Sequence, residues 1–138
     1  MATDADRQLA LAYFPAFRDR DRAWWAAHIA PDFVRHDPEL DFEVRGAVGV
    51  AKLGEVLHGA FSDIEYPIVQ VVAEGNRVLV HLRQVARHTG DYQGTPATGR
   101  TVDIVVMDLF RISDGKLVEH WAQVDNPGLL KQIGAVDA

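Results

Sequence analysis

Cysteine is absent from this 138-residue chain, which excludes disulfides, thiolate zinc sites, iron–sulfur clusters and a cysteine nucleophile. Serine is scarce. Ser62 and Ser113 sit in turn-like contexts (Phe-Ser-Asp and Ser-Asp-Gly), so neither a GxSxG elbow nor a serine triad is available. Lys52, Lys116 and Lys131 fall on a helix, in a turn and near the tail, none in an apolar setting that would prepare a Schiff base. There is no GxGxxG and no P-loop to cradle a dinucleotide or a nucleoside triphosphate. Apolar runs never reach membrane-spanning length, and the acidic opening "MATDADRQLA" has no apolar core of a leader; a cytoplasmic protein with no membrane partner is expected. Basic residues do not cluster, and a net charge of -6 argues against a nucleic-acid partner.

What is present is an ordinary globular composition, 48% hydrophobic and 25% charged, enough for a single domain over 1–138 with a core and a pocket for a small-molecule ligand. The first half reads as helix. "TDADRQLALAYFPAFRDRD" offers Thr3 or Asp4 as N-cap and places Leu9, Ala12, Tyr13, Ala16 and Phe17 at helical spacing, with Pro15 set to kink or end the pattern. A shorter helix follows a capping Asp19 or Asp21, carries Trp24, Trp25, His28 and Ile29, and closes at Pro31. After the extended "DFVRHDP" and a loop, "GAVGVAKLGEVLHGAF" puts Leu53, Val56, Leu57 and Ala60 on one stripe of a third helix.

From Ile64 the period changes to that of strands. One pair turns at Glu74-Gly75-Asn76 and another at Ser113-Asp114-Gly115, joined by the Gly/Thr/Pro-rich "HTGDYQGTPATGR". The tail "NPGLLKQIGA" is compatible with a short helix. Helices first and an antiparallel sheet after them define an α+β fold.

Elimination leaves acid–base chemistry by carboxylates and histidines. The histidines are His28, His36, His58, His81, His88 and His120, without HExxH or another tight ligand spacing, so no metal is expected. Strand parity puts Ile104, Val106, Asp108 and Phe110 on one face, and Val118, His120, Ala122 and Val124 on one face of the next strand. Asp108 and His120 are thus polar intruders in apolar rows: either hydrogen-bonded structural groups or pocket residues able to work as an acid–base pair. Trp24, Trp25, Phe14, Leu57 and Phe110 read as core first and pocket lining second.

The succession "TGDYQGTPATGR" and "VDIVVMDLFRISDGKLVEHWAQVDNPGLLKQIG", with "FVRHDP" and "FSDIEYPIVQVVAEGNRV" upstream, resembles the SnoaL-like polyketide cyclase family of the nuclear-transport-factor-2-like superfold. The resemblance implies a cone-shaped α+β barrel, three N-terminal helices packed on a strongly curved, mostly antiparallel sheet around a pocket. It implies no cofactor and a homodimer. Cyclases of this kind close a ring by intramolecular aldol condensation, with an aspartate at the pocket floor. Relatives often carry Glu-His-Trp-Asp on the last strand; here Glu119, His120 and Trp121 match, but Ala122 stands in the aspartate's place.

Asp108, His120 and His36 are the candidates to replace that carboxylate. His120, supported by Asp108, is expected to move a proton next to a carbonyl, with His36 at the oxygen. Trp24, Phe14, Leu57, Phe110 and Trp121 are candidate substrate contacts. His81 joins them if its row faces inward, and Asp125 if the face assignment reverses or a bulge intervenes. The expected activity is a cofactor-independent cyclase, isomerase or lyase acting on a small, mostly apolar carbonyl compound. The alternatives are a non-catalytic binding or dimerisation domain that has lost the aspartate, and a hydrolase or dehydratase of the same superfold.

Overall fold

The computed structural model describes residues 4–136; Thr3, one of the two expected N-caps, lies outside them. Helix α1 (Asp4–Arg18) forms where Ala10, Tyr13, Phe14 and Phe17 recur at helical spacing and all become buried. Its first turn holds Asp4 and Asp6 and its last Arg18, matching the helix dipole. Pro15 does not end the helix early, since the helix continues to Arg18. It falls in the final turn, where its carbonyl still accepts from the Asp19 N–H.

Helix α2 (Arg22–His28) is capped by Asp21, whose side chain accepts from the Trp24 N–H at 3.1 Å. It ends at His28, and Pro31 falls inside strand β1 (Ile29–His36) instead of closing the helix. A two-residue strand β2 (Val44–Arg45), read as loop from the sequence, leads into α3 (Gly46–Ala60). Strand β3 (Phe61–Glu65) is separate from β4 (Ile68–Glu74), with Pro67 between them. Then come β5 (Arg77–His88), β6 (Thr101–Ser113), β7 (Lys116–Val124) and a short α4 (Asn126–Gln132). The β6–β7 turn places Asp114 and Gly115 at φ 53° and 70°, as a two-residue hairpin of the Asp-Gly type requires.

The seven strands make one curled sheet in the order β2-β1-β7-β6-β5-β3, with β4 also pairing β5. All pairs are antiparallel except β1 with β7, where Arg35 lies beside His120 and His36 beside Trp121. Every second residue of β5 and β6 is buried, from Val78 to His88 and from Val102 to Ile112. This inner face meets α1, α2 and α3 in a core of Tyr13, Phe14, Phe17, Trp25, Phe33, Leu53, Leu82 and Phe110. Burying each such side chain contributes about 1.5–3 kcal/mol. A second cluster, Phe61, Ala86, Val102, Ile104, Leu129 and Ile133, seats α4 against the sheet.

Candidate active site

Asp108 on β6 faces inward between Val80 of β5 and Ala122 of β7, its partners across the ladder. His120, one register step along β7, pairs with Phe110 and brings Nε2 to 3.3 Å from Asp108 Oδ1. Their approach lacks the alignment of a hydrogen bond, which leaves both imidazole nitrogens and Asp108 Oδ1 buried and unpartnered. The imidazole stacks on Phe110 with centroids 4.2 Å apart and meets Tyr13 edge-on at 5.3 Å. Burial pushes the His120 pKa down and Arg35 adds to the push, against the opposing pull of Asp108.

Arg35, on the same sheet face, donates from Nη2 to Asp37 Oδ2 at 2.9 Å and from Nη1 to the Tyr13 hydroxyl at 3.4 Å. Burial works against its charge, but Tyr13, Asp108 and Asp37 together hold its pKa above the ordinary value, so it stays a cation. Burial also raises the Tyr13 phenol to about 12.

A cavity of about 550 Å³ lies between the sheet, α3 and the segment 37–42. Leu40, Phe42, Leu53, Val56, Leu57, Val124 and Leu129 supply apolar walls; Asp37, Glu39, Asp41 and Asp91 make it acidic. Tyr92 donates to Asn126 Oδ1 at 2.7 Å, linking the 89–99 loop to the start of α4 along one wall. Arg35, Leu57, Gln84 and Val124 also border a narrow hollow of about 20 Å³, whose other walls include Phe14, Tyr66, Leu82, Val106 and Asp108. Asp108 therefore faces the narrow inner end, while His120 lies behind it and lines neither space.

The structure brings together Asp108, His120, Phe14, Leu57 and Phe110, with Phe110 serving as the plate under the imidazole. His36 does not join them. It lies on the outer sheet face, donating to Glu119 at 2.7 Å and stacking on Trp121 at 5.4 Å; Glu119 also accepts from Arg111 at 3.1 Å. His81 pairs with Met107 on that outer face, so its row does not face inward and the condition set for its substrate contact is not met. Trp121 is likewise outside, under the Arg77 guanidinium. Asp125 is neither inside nor at a bulge but caps α4, accepting from the Gly128 N–H at 2.9 Å. Trp24 is half-buried on α2, 4.6 Å from the His28 ring, and does not line the cavity.

Sequence reasoning overlooked Arg35, Asp37, Gln84, Tyr92 and Asn126. Parity held a signal for two: Gln84 interrupts the apolar row Val78, Val80, Leu82, and Arg35 must face opposite to His36. Tyr92 and Asn126 meet only through tertiary structure. Among the described residues no group of three or more His, Asp or Glu side chains is placed to hold a metal ion.

Fold and site together define a small α+β half-barrel of the nuclear-transport-factor-2-like type, curled around a cavity with apolar walls and an acidic rim of side chains. The sequence profile of the SnoaL-like polyketide cyclase family matches residues 7–133, and the chain belongs to that family. The aklanonic acid methyl ester cyclases DnrD of Streptomyces peucetius and DauD of Streptomyces sp. (strain C5) are each 34% identical over 109 residues. That match covers 78% of this chain and 72% and 65% of the two relatives. Among solved structures, TsrD from Streptomyces laurentii superposes with a TM-score of 0.85 at 24% identity, covering 99% of both chains. AclR from Streptomyces galilaeus, named as a candidate hydroxylase, gives 0.84 at 30% identity over 99% of this chain and 85% of its own.

Proposed function

We propose that this chain is a cofactor-independent cyclase that closes a ring on a polyketide-like carbonyl compound, with Asp108 as the acid–base group and His120 as its positioning residue. The observation that carries this reading is the register Asp108↔Ala122. By the family resemblance the alanine stands where relatives often carry an aspartate, and the directly opposed inward residue of the neighbouring strand is a carboxylate.

The roles expected of the pair are exchanged by their depth. Asp108 borders the hollow, with Oδ1 turned to the imidazole, whereas His120 is wholly enclosed behind it. In the proposed step Asp108 takes the proton from the carbon next to a carbonyl, leaving an enolate. The enolate carbon attacks a second carbonyl of the same molecule, and the alkoxide so formed recovers the proton from Asp108. Asp37 is a poorer base because Arg35 and the Glu39 N–H already occupy its oxygens. The apolar walls suit a ring system, and the acidic surround suits one without a free carboxylate.

With aklanonic acid methyl ester as first substrate, Asp108→Asn is expected to lower kcat by about 10²–10⁴. The exchange Asp108→Ala with Ala122→Asp should recover part of that loss. Unchanged turnover in Asp108→Asn would sink the assignment. A second reading, a binding domain without catalysis, draws on Ala122 itself; saturable binding of the ester with no product from the wild-type protein would favour it.

The proposal extends to a homodimer formed through the outer sheet face, where Val72, Val105 and Met107 are exposed beside the half-buried Trp121.

A further inference from the structure

Resting on the acid–base reading above, we propose that Arg35 is a catalytic residue: the cation that holds the substrate oxygen on which negative charge develops. Asp37 and Tyr13 position it. Removing a proton from carbon leaves a full charge on the former carbonyl oxygen, and a buried site needs a fixed donor to meet that charge. His36, expected in this role, is on the wrong side of the sheet.

Among the described residues Arg35 is the one basic residue bordering the cavity, and it also borders the narrow hollow that Asp108 lines. A single guanidinium therefore reaches the space where the proton would leave and the space where the rest of the substrate would lie. Its donors are only partly used. Nη2 is committed to Asp37 at 2.9 Å and Nη1 makes a long 3.4 Å contact with Tyr13, while Nε is buried with no partner. The guanidinium thus keeps donor capacity beyond its two protein partners.

The mounting is rigid. Asp37 Oδ1 accepts from the Glu39 N–H at 3.1 Å while Oδ2 holds Arg35, so the carboxylate is fixed at both ends. Arg35 itself sits in the β1–β7 ladder directly beside His120. Charge also balances along the step. Before proton transfer the cation faces the Asp108 carboxylate; afterwards Asp108 is neutral and the same cation faces the enolate oxygen.

The test is a binding comparison that needs no turnover. The probes are 2-hydroxy-1,4-naphthoquinone, an enolate anion at neutral pH, and its uncharged 2-methoxy ether, titrated by calorimetry at 0.15 M salt. The host is Asp108→Asn, whose amide stands in for the protonated carboxyl. It is expected to bind the anion at least about tenfold more tightly than the ether, the worth of one charge-assisted hydrogen bond. Adding Arg35→Gln should erase that preference by weakening the anion far more than the ether, and Arg35→Lys should keep part of it. Equal affinities in Asp108→Asn, no binding of the anion, or a preference surviving Arg35→Gln would each overturn the role of Arg35. Should Asp108→Asn retain full turnover while the anion preference depends on Arg35, the acid–base reading fails and the oxygen-holding role stands.

Discussion

His120 is the residue at which burial and charge oppose each other most directly. Its pKa is lowered in the folded protein because burial penalises the imidazolium more than Asp108 favours it. The unfolded chain, with a histidine pKa of about 6.5, therefore binds the proton first. Stability is complete above that value and is lost as pH falls below it. His58, lowered mainly by burial as well, adds a contribution of the same sign. The carboxylates held below their ordinary range, Glu119 by His36 and Asp103 by Arg83, lose their contributions only at more acidic pH. The urea midpoint is thus expected to fall between pH 7.5 and 5.5, and His120→Gln should flatten this dependence without abolishing it. An identical slope in the variant would show that His120 is not the titrating group. The burial of this histidine was legible in the sequence from the apolar row around it. Its position behind Asp108, and not in front, was not legible, because parity gives the face of a side chain and not its depth.

At the scale of elements, the sequence reading succeeded where one periodicity ran undisturbed and failed where a ladder slipped. The register shifts between Arg111 and Ile112, so Leu117 is the buried residue before His120, whereas strict alternation had named Val118. β2, β3 and the parallel β1–β7 contact were missed because two- and five-residue strands carry little pattern, and partner choice across the chain carries none. The 89–99 loop shows how tightly such unpatterned parts are held. Gly90 passes so close to the end of α3 that a Cβ there would collide with the Gly59 carbonyl, while the Thr89 and Gly90 N–H groups both donate to the Ala60 carbonyl. Gly90→Ala must part this loop, which carries Tyr92, from α3; a loss of about 1–3 kcal/mol is expected, with weaker ligand binding. A Cβ on Gly59 meets nothing, and Gly59→Ala in the same helix should stabilise by up to about 1 kcal/mol. Denaturant unfolding of the two variants checks both, and equal midpoints would contradict the close approach.

For the whole molecule, the proposed dimer makes a direct demand on sedimentation. At micromolar concentration the species should have twice the mass of the 15.3 kDa chain, and Val72→Lys with Met107→Lys on the outer face should return it to the monomer mass. A wild-type protein already sedimenting as 15.3 kDa would remove the dimer from consideration. The parallel contact of β1 with β7 sets a further condition, one of timing. His36 and Glu119, which meet across it, are 83 residues apart in the chain, so the first strand emerges from the ribosome long before its partner exists. Until then its edge is open, Arg35 has no imidazole beside it, and the polypeptide carries the side chains of a cavity without having one. Synthesis of β7 is therefore the event that closes the sheet and assembles the site, and a chain interrupted before Lys116 lacks both at once.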